Sequence, residues 1–300
     1  MNDKLNLIGR KSEVLQIRAC LEARRNVLLE GPVGVGKTHL ALAVVQDLGR
    51  PVFRVDGDGR YTEQKLTGWF DPPAVIKLGY SASSFIEGPL LQAMKTGGVL
   101  FINELNRLPE GVQNVLLPAI DERILQIPRL ESVVAKDGFL VIATQNPKEF
   151  VATSHLSEAL LDRFELVTLH YAEADEEIQI VESKLARSAL ATRVARAAVS
   201  LTRMTRNYPR VRRGASVRAA MSVGDITLAL MNNGQPHEAA FIQAALLALP
   251  TRIEIEEDTD LETSWQAERK ELIRGWAQAA WDETVFLQLG QTEKKKKLVT

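Results

Sequence analysis

Residues 31–38 read GPVGVGKT and constrain this chain more than any other stretch. They fit the pattern G-x-x-x-x-G-K-[ST] at Gly31, Gly36, Lys37 and Thr38 without a mismatch. An apolar run, Val27-Leu28-Leu29, comes before them, and a helical pattern, HLALAVVQDL, comes after. A glycine-rich turn between a buried strand and a helix is a device for holding phosphate. Glycine admits positive φ and lets the backbone approach a ligand. Successive amides and the helix N-terminus then present partial positive charge to the β- and γ-phosphates. Lys37 adds a full charge, and the Thr38 hydroxyl suits Mg²⁺. The expected cofactors are ATP and Mg²⁺. The expected nucleotide contacts run over Gly31, Pro32, Val33, Gly34, Val35, Gly36, Lys37, Thr38 and His39.

The surrounding pattern predicts an α/β fold. Short apolar runs at 27–29, 52–55, 99–102, 140–143 and 166–169 alternate with helical patterns. Continuous apolar strands separated by helices imply a five-stranded parallel sheet covered on both faces. Past 170 the texture changes. Helical spacing of Ala, Leu, Arg and Glu dominates 174–206, 216–231 and 238–249, and strand-like runs nearly vanish. The expected organisation is a nucleotide-binding core over 1–170 and a smaller α-helical domain with a C-terminal helical extension over 171–300. Trp265, Trp276 and Trp281 fall on that extension and read as packing residues. The tail EKKKKLVT (293–300) reads as a frayed, solvated end.

Bulk properties narrow the setting. The 300 residues carry a net charge of −1, so composition gives no hint of a nucleic-acid or membrane partner. A single cysteine, Cys20, rules out an intrachain disulfide and fits a reducing compartment. The N-terminus lacks an apolar segment of signal-peptide length, and no apolar run reaches the ~20 residues of a membrane helix. A soluble, cytoplasmic protein is expected, with no membrane insertion. The four histidines are scattered without ligand spacing, so no metal beyond Mg²⁺ is expected.

A hydrolase of this type needs carboxylates at the tip of a second buried strand, and GGVLFINEL (97–105) supplies one. Glu104 is placed to polarise an attacking water. The competing reading is that Glu104 only caps the next helix. Asn103 stands where an aspartate is usual. A neutral amide there implies an indirect role at Mg²⁺, weaker ordering of the ion and a low hydrolysis rate.

GGVLFINELNRLPEGVQNVLLPAIDE (97–122) resembles the acidic-motif region of MoxR-type AAA+ ATPases, in the helix-2-insert group of AAA+ proteins. The resemblance runs over roughly residues 5–250. It implies an αβα core followed by an α-helical lid. Ile8, Gly9 and Arg10 resemble the box that touches adenine. Leu66-Thr67-Gly68 with EGPLLQAMKTG (87–97) resembles the insert segment. ATQNP (143–147) puts Asn146 in the sensor-1 place, LSEALLDRFE (156–165) makes Arg163 the arginine finger acting in trans, and GASVRAAM (214–221) makes Arg218 the sensor-2 arginine. Local ion pairing to Glu158, Asp162 or Glu165 is the alternative reading of Arg163. The segment 125–147 reads as a hairpin with its tip near Lys136-Asp137-Gly138, where Asp-Gly signals a turn.

The resemblance implies a homo-oligomer, most commonly a hexameric ring, that remodels or matures a protein client, often with a partner bearing a von Willebrand factor A domain. Two other readings stay open. One is a nucleic-acid motor, motivated by the basic run RNYPRVRRGASVR (206–218). The other is a nucleotide-gated scaffold with weak hydrolysis, motivated by Asn103.

Overall fold

The structure is a computed structural model that describes residues 7–146, 156–185, 188–256 and 265–297, with backbone only at 265 and 285–297. The chain divides into two compact units, Met1–His170 and Tyr171–Thr300.

The first unit begins with α1 (Lys11–Glu22), β1 (Asn26–Glu30), α2 (Lys37–Asp47) and β2 (Val52–Asp56). An insertion follows: α3 (Glu63–Thr67), β3 (Gly68–Phe70), α4 (Pro72–Leu78) and β4 (Phe85–Glu87). The chain then returns through α5 (Pro89–Thr96) to β5 (Val99–Asn103). The remainder is α6 (Glu110–Asn114), α7 (Leu116–Asp121), β6 (Ile124–Leu125), β7 (Val133–Val134), β8 (Leu140–Gln145), α8 (Glu158–Leu161) and β9 (Phe164–Thr168).

Five strands form one sheet in the order β2-β5-β8-β1-β9, with every pairing parallel. The five apolar runs account for these strands. β5 and β8 are buried along nearly their whole length, as strands covered on both faces must be. β9 starts two residues before the predicted run, because Asn26 pairs with Phe164. On this edge strand only Phe164 and Val167 are buried, so apolarity marks its limits poorly. The parallel arrangement brings the C-terminal ends of β1, β2, β5 and β8 to one edge of the sheet, the edge where parallel α/β folds bind ligands.

The hairpin predicted at 125–147 forms elsewhere. β6 and β7 pair antiparallel, Ile124 with Val134 and Leu125 with Val133, so the tip is Pro128-Arg129-Leu130. Arg129 adopts φ 68° there, and its guanidinium lies 3.8 Å from the Tyr80 ring centroid. Lys136-Asp137-Gly138 is indeed a turn, but it connects β7 to β8. The Lys136 amide donates to the Met94 carbonyl (2.8 Å), which ties this turn to the end of α5. Tertiary hydrogen bonding overrides the Asp-Gly signal. The insertion pairs β3 with β4 around α4, a helix with no buried residue that leaves Ile76, Leu78 and the following Tyr80 exposed.

The second unit comprises α9 (Ala174–Glu182), α10 (Ala189–Asn207), β10 (Val211–Arg213), α11 (Val217–Asn232), α12 (His237–Ala248), β11 (Glu254–Ile255) and α13 (Trp265–Lys297). The helix read across 174–206 is two helices. Ser188 begins the second by accepting a hydrogen bond from the Ala191 amide (3.0 Å), an N-cap inside an otherwise continuous helical pattern. Small residues let these helices pack closely: Ala195, Ala198, Ala219, Ala220, Ala244, Ala245 and Ala277 are all buried. Trp281 is buried against Phe241 at 5.2 Å, and Trp276 meets Tyr208 edge-on at 5.1 Å. The lysine run at 294–297 continues α13 rather than fraying; 298–300 lie outside the described residues. Among the described residues, no helix is long and apolar enough to cross a membrane.

Candidate functional site

The loop 31–36 leaves β1 and turns straight into α2. Gly34 (φ 81°) and Gly36 (φ 96°) occupy the left-handed region, and Gly36 is the residue immediately before α2. Gly31 is needed for space, since a Cβ there would sit 2.4 Å from the Leu169 carbonyl oxygen. Lys37 Nζ donates to the carbonyls of Gly31 (2.6 Å) and Pro32 (2.9 Å), which lays the ammonium along the loop. Val35 is buried, whereas Val33 and His39 are exposed.

The Thr38 hydroxyl crosses from α2 to β5 and donates to Asn103 Oδ1 (2.8 Å). Thr144, fully buried on β8, donates to the same oxygen (3.2 Å). Asn103 Nδ2 in turn donates to Asp56 Oδ1 at the end of β2 (3.0 Å). Asp56 is gripped from its own strand by Arg54, whose Nε and Nη2 lie 2.7–3.1 Å from the carboxylate oxygens. That guanidinium, with the Asn103 amide behind it, holds the Asp56 carboxyl below the usual carboxylate range although burial acts the other way.

Glu104 follows in the left-handed conformation (φ 59°, ψ 57°), an uncommon state for glutamate. The surroundings enforce it. Its amide donates to Thr144 Oγ1 (2.9 Å), and the Gly57 amide donates to the Asn103 carbonyl (2.7 Å). Gly57 is packed so tightly that a Cβ would fall 2.1 Å from the Glu104 carbonyl oxygen. The Glu104 side chain makes no capping bond to the short helical turn 105–107. Its carboxylate is half exposed and meets Arg107 Nε at 3.1 Å. Glu104 thus holds the N-cap position, but its side chain does not cap the turn, because the carboxylate is taken by Arg107. Asn146 follows β8 directly and is buried.

The flanking residues fall in distinct places. Arg10 is a staple: it reaches Glu13 (2.8 Å), the Val35 carbonyl (3.3 Å) and the His170 carbonyl (2.6 Å). Gly9 and Arg10 both take positive φ to make that bend, beside a half-buried Ile8. Arg163 forks onto Asp121 at the end of α7, with Nε 2.7–2.8 Å from both carboxylate oxygens. The local partner is thus Asp121, not Glu158, Asp162 or Glu165. In the second unit Arg218 is exposed in the first turn of α11. Its basic neighbours are mostly neutralised: Arg206 pairs with Glu177, Arg210 with Glu268 and Arg212 with Glu256.

The sequence model for the AAA domain, dynein-related subfamily, matches residues 26–164. An uncharacterised protein of Staphylococcus epidermidis is 30 % identical over 213 residues, covering 70 % of this chain and 80 % of its own. The chain belongs to the AAA+ ATPases. The subfamily is consistent with the MoxR-type resemblance. Gas vesicle ATPase GvpN1 of Halobacterium salinarum is 30 % identical over 185 residues, covering 56 % of this AAA+ chain and 53 % of GvpN1. In fold, the AAA+ chain is similar to a RuvB mutant of Thermotoga maritima, with 18 % identity, a TM-score of 0.54, and coverage of 81 % of this chain and 72 % of RuvB.

Four residues of the AAA+ site escape a linear reading: Asp56, Gly57, Thr144 and Asp121. Asp56 had a visible signal, a carboxylate closing the apolar run VFRVD. Thr144 lies two residues before Asn146 and is aligned with Leu29 on β1. Asp121 and Arg163 are 42 positions apart, and only the fold joins them.

Proposed function

We propose that this AAA+ chain is a Mg²⁺-dependent ATPase that assembles as a homo-oligomeric ring, most simply a hexamer, and spends hydrolysis on remodelling or maturing a protein client, in the manner of MoxR-type relatives. The observation that carries the reading is the meeting of three elements at one sheet edge: the lysine loop after β1, the Thr38–Asn103 hydrogen bond, and Glu104 locked in a left-handed turn.

The loop amides and Lys37 bind the phosphates, and Lys37 exchanges its two carbonyl partners for phosphate oxygens. Glu104 accepts the proton of the attacking water while the water oxygen bonds to the γ-phosphorus and the bond to the β–γ bridging oxygen breaks. Asn146, at the tip of the neighbouring strand, orients that water. Thr38, Asn103 and Asp56 make an all-oxygen donor set suited to a hard cation that keeps most of its waters. A bound Mg²⁺ would neutralise phosphate charge there. Arg163 acts on a neighbouring subunit's nucleotide, exchanging its contacts to Asp121 and the Ala159 carbonyl for phosphate oxygens. Arg218 is the second-unit group assigned to the γ-phosphate. Ile8, Gly9 and Arg10 flank the adenine side, with Arg10 bracing the backbone rather than reading the base. The client is a protein, with a von Willebrand factor A domain partner as the expected adaptor. The pairing of Arg206, Arg210 and Arg212 disfavours a nucleic-acid motor.

Steady-state ATPase assays on the wild type, Lys37→Ala and Glu104→Gln test this. Lys37→Ala is expected to lose nucleotide binding. Glu104→Gln is expected to keep binding and lose roughly 10²- to 10⁴-fold in turnover. A wild-type ring that binds ATP yet never hydrolyses it would favour the scaffold reading.

A further inference from the structure

The structure assigns to Asp56, on β2, the negative charge that orders the hydrated divalent cation beside the bound nucleotide, in place of the neutral Asn103 on β5. This rests on the Mg²⁺–nucleotide reading of the site above.

Asp56 and Asn103 are register partners on adjacent parallel strands. A carboxylate can only accept hydrogen bonds, so Asn103 must turn its amide nitrogen toward Asp56. That leaves Asn103 Oδ1 for the Thr38 and Thr144 hydroxyls, and all three contacts have good length: 3.0, 2.8 and 3.2 Å. The result is a continuous path of two hydrogen bonds from Thr38 to the Asp56 carboxylate. The negative charge at this edge has moved one strand sideways. The same geometry explains why residue 103 is an amide. A second carboxylate 3 Å from Asp56 would place two like charges together and disfavour ionisation of one.

A purely structural account makes Asp56 only a partner for Arg54. Two features weigh against it. The Asp56 side chain is 57 % exposed and Arg54 47 %, so their pair contributes little and opens easily. The carboxylate also takes the Asn103 amide on Oδ1 (3.0 Å), a contact that a partner for Arg54 alone does not need. Cation-bound water can then donate to Asp56 as the guanidinium swings aside.

The test is a Mg²⁺ titration of a fluorescent ATP analogue bound to the full-length chain, repeated in EDTA, for the wild type, Asp56→Asn, Asn103→Asp, the double variant and Arg54→Ala. Thermal melts check that each is folded. Asp56→Asn is expected to weaken apparent Mg²⁺ affinity about 10- to 100-fold, the range for a group acting on a metal's waters, while metal-free nucleotide affinity stays unchanged. The double variant, with the carboxylate returned to β5, is expected to recover it. Arg54→Ala is expected to tighten Mg²⁺, which a salt-bridge partner alone would not do. Should Asp56→Asn titrate like the wild type, or lose metal-free nucleotide binding to the same degree, the assignment is overturned and the nucleotide reading stands. Should the wild type bind no nucleotide, both fall.

Discussion

In the first unit the polar groups gather where strands end: Thr38, Asn103, Asp56, Thr144 and Glu104 converge from α2, β5, β2 and β8. In the second unit the described strands are a short antiparallel pair, β10 and β11, and arginines are spent on carboxylates around an alanine-rich helical bundle. Glu177, almost fully buried, takes both Arg206 (2.8 Å) and Arg203 (3.2 Å). Arg206 also stacks on Tyr171, with its guanidinium carbon 3.8 Å from the ring centroid. The contrast teaches where reactive groups can survive. A parallel sheet delivers several strand tips to one edge, where the Asp56 and Glu104 carboxylates stay partly open to solvent over a buried Thr144. A helical bundle has no such edge, so its buried charges must pair or stay outside.

The contrast breaks most sharply at the arginines. Arg163 is engaged by Asp121 yet is assigned to a neighbour's nucleotide. Arg163→Ala is expected to cut turnover by roughly 10³- to 10⁵-fold with nucleotide affinity intact. Mixing Arg163→Ala with Lys37→Ala subunits should restore part of the activity, since each lesion spares sites the other completes. Mixed rings as inactive as the parents would mean that Arg163 does no more than hold α7. Glu177→Ala strands two arginines, one of them largely buried, and is expected to destabilise the second unit by about 3 kcal/mol. Denaturant unfolding reads this, while metal-free nucleotide binding by the first unit should persist. Loss of both together would show that the units do not fold separately. The smallest effect belongs to Arg212→Ala. Arg212 meets Glu256 in the open, with side chains 66 % and 51 % exposed, so the unfolding midpoint should not move measurably.

Much of the site was legible because its chemistry is local. GPVGVGKT is contiguous, and its glycines, lysine and threonine act through a backbone path that a short motif encodes. Asn103 and Glu104 were legible for the same reason, as the end of an apolar strand. The five strands announced themselves through continuous burial, which leaves a run of apolar residues. Where burial is one-sided, as on β9, the limits slipped. Where one helical pattern contained its own cap, as at Ser188, two helices read as one. Where a turn signal competed with pairing, as at Lys136-Asp137-Gly138, the hairpin was misplaced.

By itself the sequence determined the phosphate loop, the parallel core and the departure at Asn103, since each depends on neighbours along the chain. Only the tertiary structure decided what that departure means. Asp56 lies 47 positions before Asn103, and strand pairing brings their side chains to 3.0 Å. No periodicity records which strand will lie beside which, because strand order is set by how helices pack on both faces of the sheet. The same holds for Asp121 under Arg163 and for Gly57 against Glu104, contacts made by chain segments that meet only after folding.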